Sequence, residues 1–173
     1  MNEAIKNMIE RQSVRAFKPD MIPSDALDLI LEAGTHAPTG RNRQSPIILA
    51  ITNKEMRDKI SKMNAEIMGV DTDPFYGAPV ILVVLANKDF PTYIYDGSTV
   101  MENLMLSAHS LGIGSCWIHR AKEEFESDEG KKILADLGIT GNFEGIGHVA
   151  LGYVDGKLAP KGPRKENYVY FIK

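Results

Sequence analysis

The sequence predicts an α+β fold, a central sheet flanked by helices. Three observations lead there. The run Pro79 to Ala86 (PVILVVLA) is apolar at every position, as a strand buried on both faces must be. Shorter β-type runs at Ile47 to Thr52, Ile113 to Ile118 and Gly147 to Val154 alternate with segments of helical periodicity. The composition, 43% hydrophobic and 25% charged over 173 residues, belongs to an ordinary globular chain. A chain of that length can bury roughly two-thirds of its unfolded surface in one core. No repeat, low-complexity tract or linker divides it, so residues 1–173 read as a single domain.

The first helix follows Asn2, a suitable N-cap, and places Ile5, Met8 and Ile9 on one face. It delivers Arg11-Gln12-Ser13-Val14-Arg15. In an extended segment Arg11, Ser13 and Arg15 project to the same side. Two guanidinium forks flanking a hydroxyl suit a phosphate monoester dianion. The same residues also read as surface cations near a helix C-terminus. A second helix opens at Ile22-Pro23-Ser24, with Ser24 as N-cap, and buries Leu27, Ile30 and Leu31 ahead of Gly34. Next comes the polar turn His36-Ala37-Pro38-Thr39-Gly40-Arg41-Asn42-Arg43-Gln44-Ser45-Pro46, whose density of donors suggests a binding surface rather than a connector.

Asn53 is placed to cap a third helix with Met56, Ile60 and Met63 inward and Asn64 near its end. After the central strand, Asp96 is the expected cap of a helix carrying Val100, Met101, Leu104, Met105, Ala108 and Leu111 on one wide apolar face. Gly112 is its expected C′ residue. The strand Ile113 to Ile118 holds Trp117, two short helices end near Leu137-Gly138, and a last strand follows. Residues 155–173 form an extended arm ending in Tyr168-Val169-Tyr170-Phe171-Ile172, a run of high β propensity. Such a strand can pair within its own chain or exchange into a partner's sheet.

Composition also excludes chemistries. A formal net charge of -3 gives no electrostatic footprint for nucleic acid. The lone Cys116 leaves no internal disulfide, and four scattered histidines form no metal-binding pattern. The N-terminus lacks a signal-peptide core and no apolar run spans a bilayer, which makes a cytoplasmic location the expectation.

Four markers in order give the chain a resemblance. They are Arg11 to Arg15, the turn Ala37 to Gln44, the Asp96 helix leading into Leu111-Gly112-Ile113-Gly114-Ser115-Cys116-Trp117, and Arg164-Lys165 in the tail. Together they resemble the nitroreductase family of FMN-dependent oxidoreductases in its short form. The resemblance implies a mixed, mainly antiparallel sheet and a homodimer with the C-terminal arm and strand exchanged. It implies that Arg11, Gln12, Ser13 and Arg15 hold the FMN phosphate and ribityl end, with Arg164 and Lys165 closing on the phosphate. Pro38, Thr39, Gly40 and Asn42 reach the flavin from the partner subunit, Trp117, Ile118 and His119 line its edge, and Asn64 contacts the ring. The implied activity is electron transfer from NADH or NADPH to an electron-poor acceptor such as a nitroaromatic or quinone, by ping-pong kinetics. The alternative is a flavin-binding redox sensor or store with little turnover. Two departures stand out: Ser45-Pro46-Ile47 where many relatives have Pro-Trp, and His119 where a small residue is common. That histidine either donates to a substrate or points to solvent.

Overall fold

The computed structural model describes residues 1–173. Its elements are α1 (Glu3–Glu10), α2 (Ser24–Thr35), a 3-10 turn (Gly40–Asn42), β1 (Pro46–Ile51), α3 (Lys54–Met68), β2 (Val80–Asn87), α4 (Tyr93–Ser110), β3 (Gly114–Ile118), α5 (Ala121–Glu126), α6 (Asp128–Asp136) and β4 (Phe143–Gly152). The sheet runs β1-β2-β4-β3, and every neighbouring pair is antiparallel. The one parallel contact is the isolated bridge Ser13↔Ser115 on the outer side of β3.

Strand periodicity sets the layers. Val80, Leu82 and Val84 of β2 face α2 and α4, meeting Ile30, Val100, Met101, Leu104 and Ala108. Ile81, Val83 and Leu85 face the other way, against Ile60 of α3, Phe125 of α5 and Ile133 of α6. A strand covered on both sides must be apolar throughout, and Val80 to Ala86 are all fully buried. Asn2 and Asn53 cap α1 and α3 through the amides of Ile5 and Met56. Gly112 follows α4 in the left-handed conformation, φ 73°, that suits a C′ glycine. No helix is long and apolar enough to cross a membrane.

Four boundaries differ from expectation. α2 begins at Ser24 itself, with Pro23 in the cap position and no side-chain cap. α4 begins a turn before Asp96, with Thr92 ahead of it, because the Asp96 carboxylate is taken by tertiary partners described below. β4 begins at Phe143 rather than Gly147, since a bulge at Ile146 lets Glu144 and Gly145 keep pairing with β2. The tail Tyr168 to Ile172 pairs with no strand of its own chain and stays exposed.

The bulge brings Gly145 against the start of α5. A Cβ there would lie 2.2 Å from the Ala121 carbonyl oxygen, a backbone atom with nowhere to move cheaply. Gly145→Ala should therefore cost about 1–3 kcal/mol of stability, as overpacked sites do. Urea denaturation reads it, and an unchanged midpoint would contradict this packing.

Candidate functional site

The first group of predicted residues gathers on the outer edge of β3. Val14 is buried and its amide donates to the Ser115 carbonyl at 2.9 Å, while Phe17 bridges to Val154. The Ser13↔Ser115 bridge holds this segment against the edge of β3. Val14 points inward, Arg15 is exposed, and Arg11, Gln12 and Ser13 are half-buried. Arg11 Nη1 is sealed from water and has no hydrogen-bond partner; Ser115 Oγ is likewise unpaired. Arg11, Gln12, His109, Ser115 and Leu158 line a cavity of about 190 Å³. Burial holds the His109 imidazole below its ordinary pKa; Glu10 opposes this, and Lys161 and Arg11 add to it. The buried Cys116 thiol is pushed up by desolvation, with Arg15, Ser13 and Arg11 pulling the other way.

The second group lies in the turn before β1. Its anchor is Asp96, 4% exposed, whose carboxylate accepts from the Gly40 amide at 2.9 Å, Thr92 Oγ1 at 3.0 Å and Ser45 Oγ at 3.4 Å. Thr99 Oγ1 donates to the Pro38 carbonyl, and the Gln44 amide donates to Thr39 Oγ1, both at 3.0 Å. A side chain at Gly40 would strike Thr92 Oγ1 at 2.4 Å. Arg41, Asn42 and Gln44 are all left-handed, with φ of 56°, 54° and 50°. Non-glycine residues hold such angles only where surrounding contacts impose them. Asn42 is displayed at the surface, its amide donating to the Thr39 carbonyl at 3.0 Å and its side chain accepting from Gln44 Nε2 at 3.3 Å. The departure at Ser45 now has a physical role, because a serine can donate to Asp96 where proline cannot.

The third group is the end of β3. Trp117 is half-buried, Ile118 buried and His119 exposed, and the amides of His119 and Arg120 donate to no group in the chain. Trp117, His119, Arg120 and Lys122 share a cavity of about 270 Å³. Sequence reasoning put Asn64 against a ring; the structure puts it one layer behind. Its side chain is fully buried and its carboxamide is engaged by the His119 carbonyl, Glu124 and Arg120 Nε. Sequence reasoning also missed Arg120, Glu124 and His148, which no local spacing links.

The first and second groups are held apart by α4. Its N-terminal turn carries the Asp96 loop, whereas Asn7 of α1 donates to the Leu106 carbonyl and His109 lies beside Arg11. From Asp96 to Leu106 or His109, at about 1.5 Å per residue, is roughly 15–20 Å along the axis. Arg164 and Lys165 lie on the exposed tail, with Lys165 5.2 Å over the Tyr168 ring. The arm leading to them passes the first group, since Lys161 Nζ donates to the Ile9 carbonyl and Leu158 lines the Arg11 cavity.

Removing the Asp96 carboxylate leaves three donors without an acceptor. Hydrogen bonds to a charged group are worth about 1.5–3 kcal/mol each, so Asp96→Ala should release the turn. Trypsin cleavage after Arg41 and Arg43 should then accelerate in the folded protein. Cleavage at the wild-type rate would contradict the anchoring role.

Comparison with known proteins agrees with this geometry. A sequence model of the Nitroreductase family matches residues 8–153. A protein of Archaeoglobus fulgidus bearing the provisional name NADH dehydrogenase/NAD(P)H nitroreductase is 31% identical, covering 88% of this chain and 86% of its own. The crystal structure of a nitroreductase with bound FMN from Bacteroides fragilis superposes over 100% of both chains with a TM-score of 0.89 and 30% identity. Another, also with bound FMN, from Desulfitobacterium hafniense covers 99% of both chains at a TM-score of 0.86 and 27% identity. With its antiparallel sheet, its edge-bound arginine segment and its matched length, the chain belongs to the nitroreductase family.

Proposed function

We propose that this protein is an FMN-dependent oxidoreductase that takes electrons from NADH or NADPH and delivers them to a small electron-poor acceptor, such as a nitroaromatic or quinone. The observation that carries the reading is the Arg11 guanidinium, whose Nη1 is buried without a partner beside Ser13 and Arg15. A buried unpaired donor is costly, and a terminal phosphate removes that cost through charge-assisted hydrogen bonds. Gln12 lines the same cavity, and Arg164 with Lys165 on the arm would close on the phosphate. Similar proteins support the choice of cofactor. The Bacteroides fragilis and Desulfitobacterium hafniense structures hold FMN, and a Bacillus subtilis protein 26% identical over 116 residues is named FMN reductase [NAD(P)H]. The chain spans 47% of that last protein.

When bound, FMN supplies the redox chemistry, accepting a hydride equivalent from the nicotinamide and passing electrons on. The chain binds, orients and shields it. The free amides of His119 and Arg120, with Trp117 and Ile118, would line the edge of the ring, and the two substrates would take turns at one site. The exposed His119 imidazole stands at the rim of this site.

The site is shared between two chains of a homodimer. Pro38, Thr39, Gly40 and Asn42 sit at the far end of α4 from Arg11 and meet the flavin held by the partner. Apolar surface left open by one chain supports this. Ile5, Met8 and Ile9 of α1 are about half exposed, as are Tyr95 and all of Tyr168 to Ile172 to a greater degree. Exposed apolar side chains on these segments are available for an interface to cover. The outer edge of β1 is unpaired, so the tail of one protomer can extend the sheet of the other.

Mass spectrometry of the cofactor released from purified protein should find FMN. NAD(P)H should be consumed only when a nitro or quinone acceptor is added. Recovery of FAD, or no turnover with any acceptor, would overturn the reading.

A further inference from the structure

We propose that Asn64, Glu124 and His148 are positioning residues that aim the backbone amides of His119 and Arg120 at the flavin. The inference rests on the flavin reading above. All three side chains are fully buried, although each is polar or ionisable and they come from three different elements, α3, α5 and β4. A buried polar network of this kind is costly unless every member is satisfied, and here the members satisfy one another around one stretch of backbone. His148 Nδ1 lies 3.3 Å from the Ile118 carbonyl oxygen and its Nε2 lies 2.8 Å from Glu124 Oε2. Glu124 Oε1 accepts from Asn64 Nδ2, which also donates to the His119 carbonyl at 2.9 Å. Asn64 Oδ1 accepts from Arg120 Nε at 2.9 Å.

The chemistry of the partners fixes the protons. A carbonyl oxygen only accepts, so His148 Nδ1 carries a hydrogen toward Ile118. The other side of the ring faces a carboxylate, so one proton lies between Nε2 and Oε2. Phe75, edge-on to the imidazole at 5.1 Å, closes the space around it. The ring and the carboxamide thus grip two consecutive carbonyls and turn both inward. In a trans peptide the following N–H points opposite to the C=O. Gripping the carbonyls of Ile118 and His119 therefore turns the amides of His119 and Arg120 outward, and these are the two that donate to nothing in the chain. Arg120 adopts φ 77°, a left-handed angle that strains a non-glycine residue. Its bond to Asn64 holds it there. Without the network, rotation of the His119–Arg120 peptide relieves that strain and withdraws the Arg120 donor, and the Ile118–His119 peptide, released from His148, is free to withdraw the His119 donor.

The sequence permits a direct test. Ile118-His119 is the only Ile-His pair in the chain and His119-Arg120 the only His-Arg pair. Labelling carbonyl carbon of Ile and His with ¹³C, and amide nitrogen of His and Arg with ¹⁵N, isolates these two peptides in an HNCO spectrum. In the wild-type protein, adding FMN should shift both amides and slow their solvent exchange by about tenfold, the worth of one hydrogen bond each. In Asn64→Leu and His148→Phe that protection should be lost and both carbonyl resonances should move even without flavin. Glu124→Gln, which can still accept from Asn64 and donate to a neutral His148, should keep the wild-type response.

If wild-type protein binds FMN and the two amides do not respond, the inference fails while the functional reading stands. Folded variants with an undiminished amide response overturn it equally. If wild-type protein binds no FMN, the functional reading fails. The network's grip on the backbone is then judged from the flavin-free carbonyl shifts, and unmoved shifts refute it.

Discussion

The structure depends on burying β2 on both faces. Seven consecutive residues, Val80 to Ala86, have no exposed surface, so the strand needs a helical layer on each side and antiparallel neighbours at both edges. The long, apolar α4 supplies most of one layer. Its length then decides where polar chemistry can go. With the middle of the molecule committed to hydrocarbon, hydrogen-bonding groups are displaced to the ends of α4 and to the outer edge of β3. The arginine segment and the polar turn, which one cofactor would need together, end up at opposite ends of one helix.

Two sets of buried polar groups hold backbone in the candidate site. Asp96 has no cation beside it; it is compensated by a backbone amide and two hydroxyls, and through them it shapes the turn that displays Asn42. Burying a carboxylate without such partners would be prohibitive. Asn64, Glu124 and His148 do the same for the end of β3. Both cases tie loops to rigid elements, which sets the precision of a binding site more firmly than loop conformation could.

Much of this was legible in the sequence, for a common reason. Asn2, Asn53 and Gly112 act within a few residues of themselves, and the apolar run of β2 needs no knowledge of its neighbours. The extended stretch from Arg11 to Arg15 was readable too, and it meets β3 through one bridge at Ser13. What escaped was tertiary. Asp96 has the chemistry of a cap, and only the fold shows it reaching Gly40 and Ser45 instead. The start of β4 was hidden by a bulge that lets Glu144 and Gly145 stay in the ladder. The Asn64 carboxamide was expected to contact a ring on the strength of the resemblance; its partners in the fold, Glu124 and Arg120, lie far along the chain. The tail was read as a strand with two possible destinations, and it pairs with no strand of its own chain.

The central claim is that two chains complete each flavin site, and a mixed dimer tests it most directly. Arg11→Ala and Asn42→Ala chains, coexpressed with different tags and purified through both, give a heterodimer with one lesion on each subunit. Shared sites predict one doubly damaged site and one intact site, so an FMN titration should show half the sites binding with wild-type affinity. If each site were built within a single chain, every site would carry one lesion and no wild-type phase would appear.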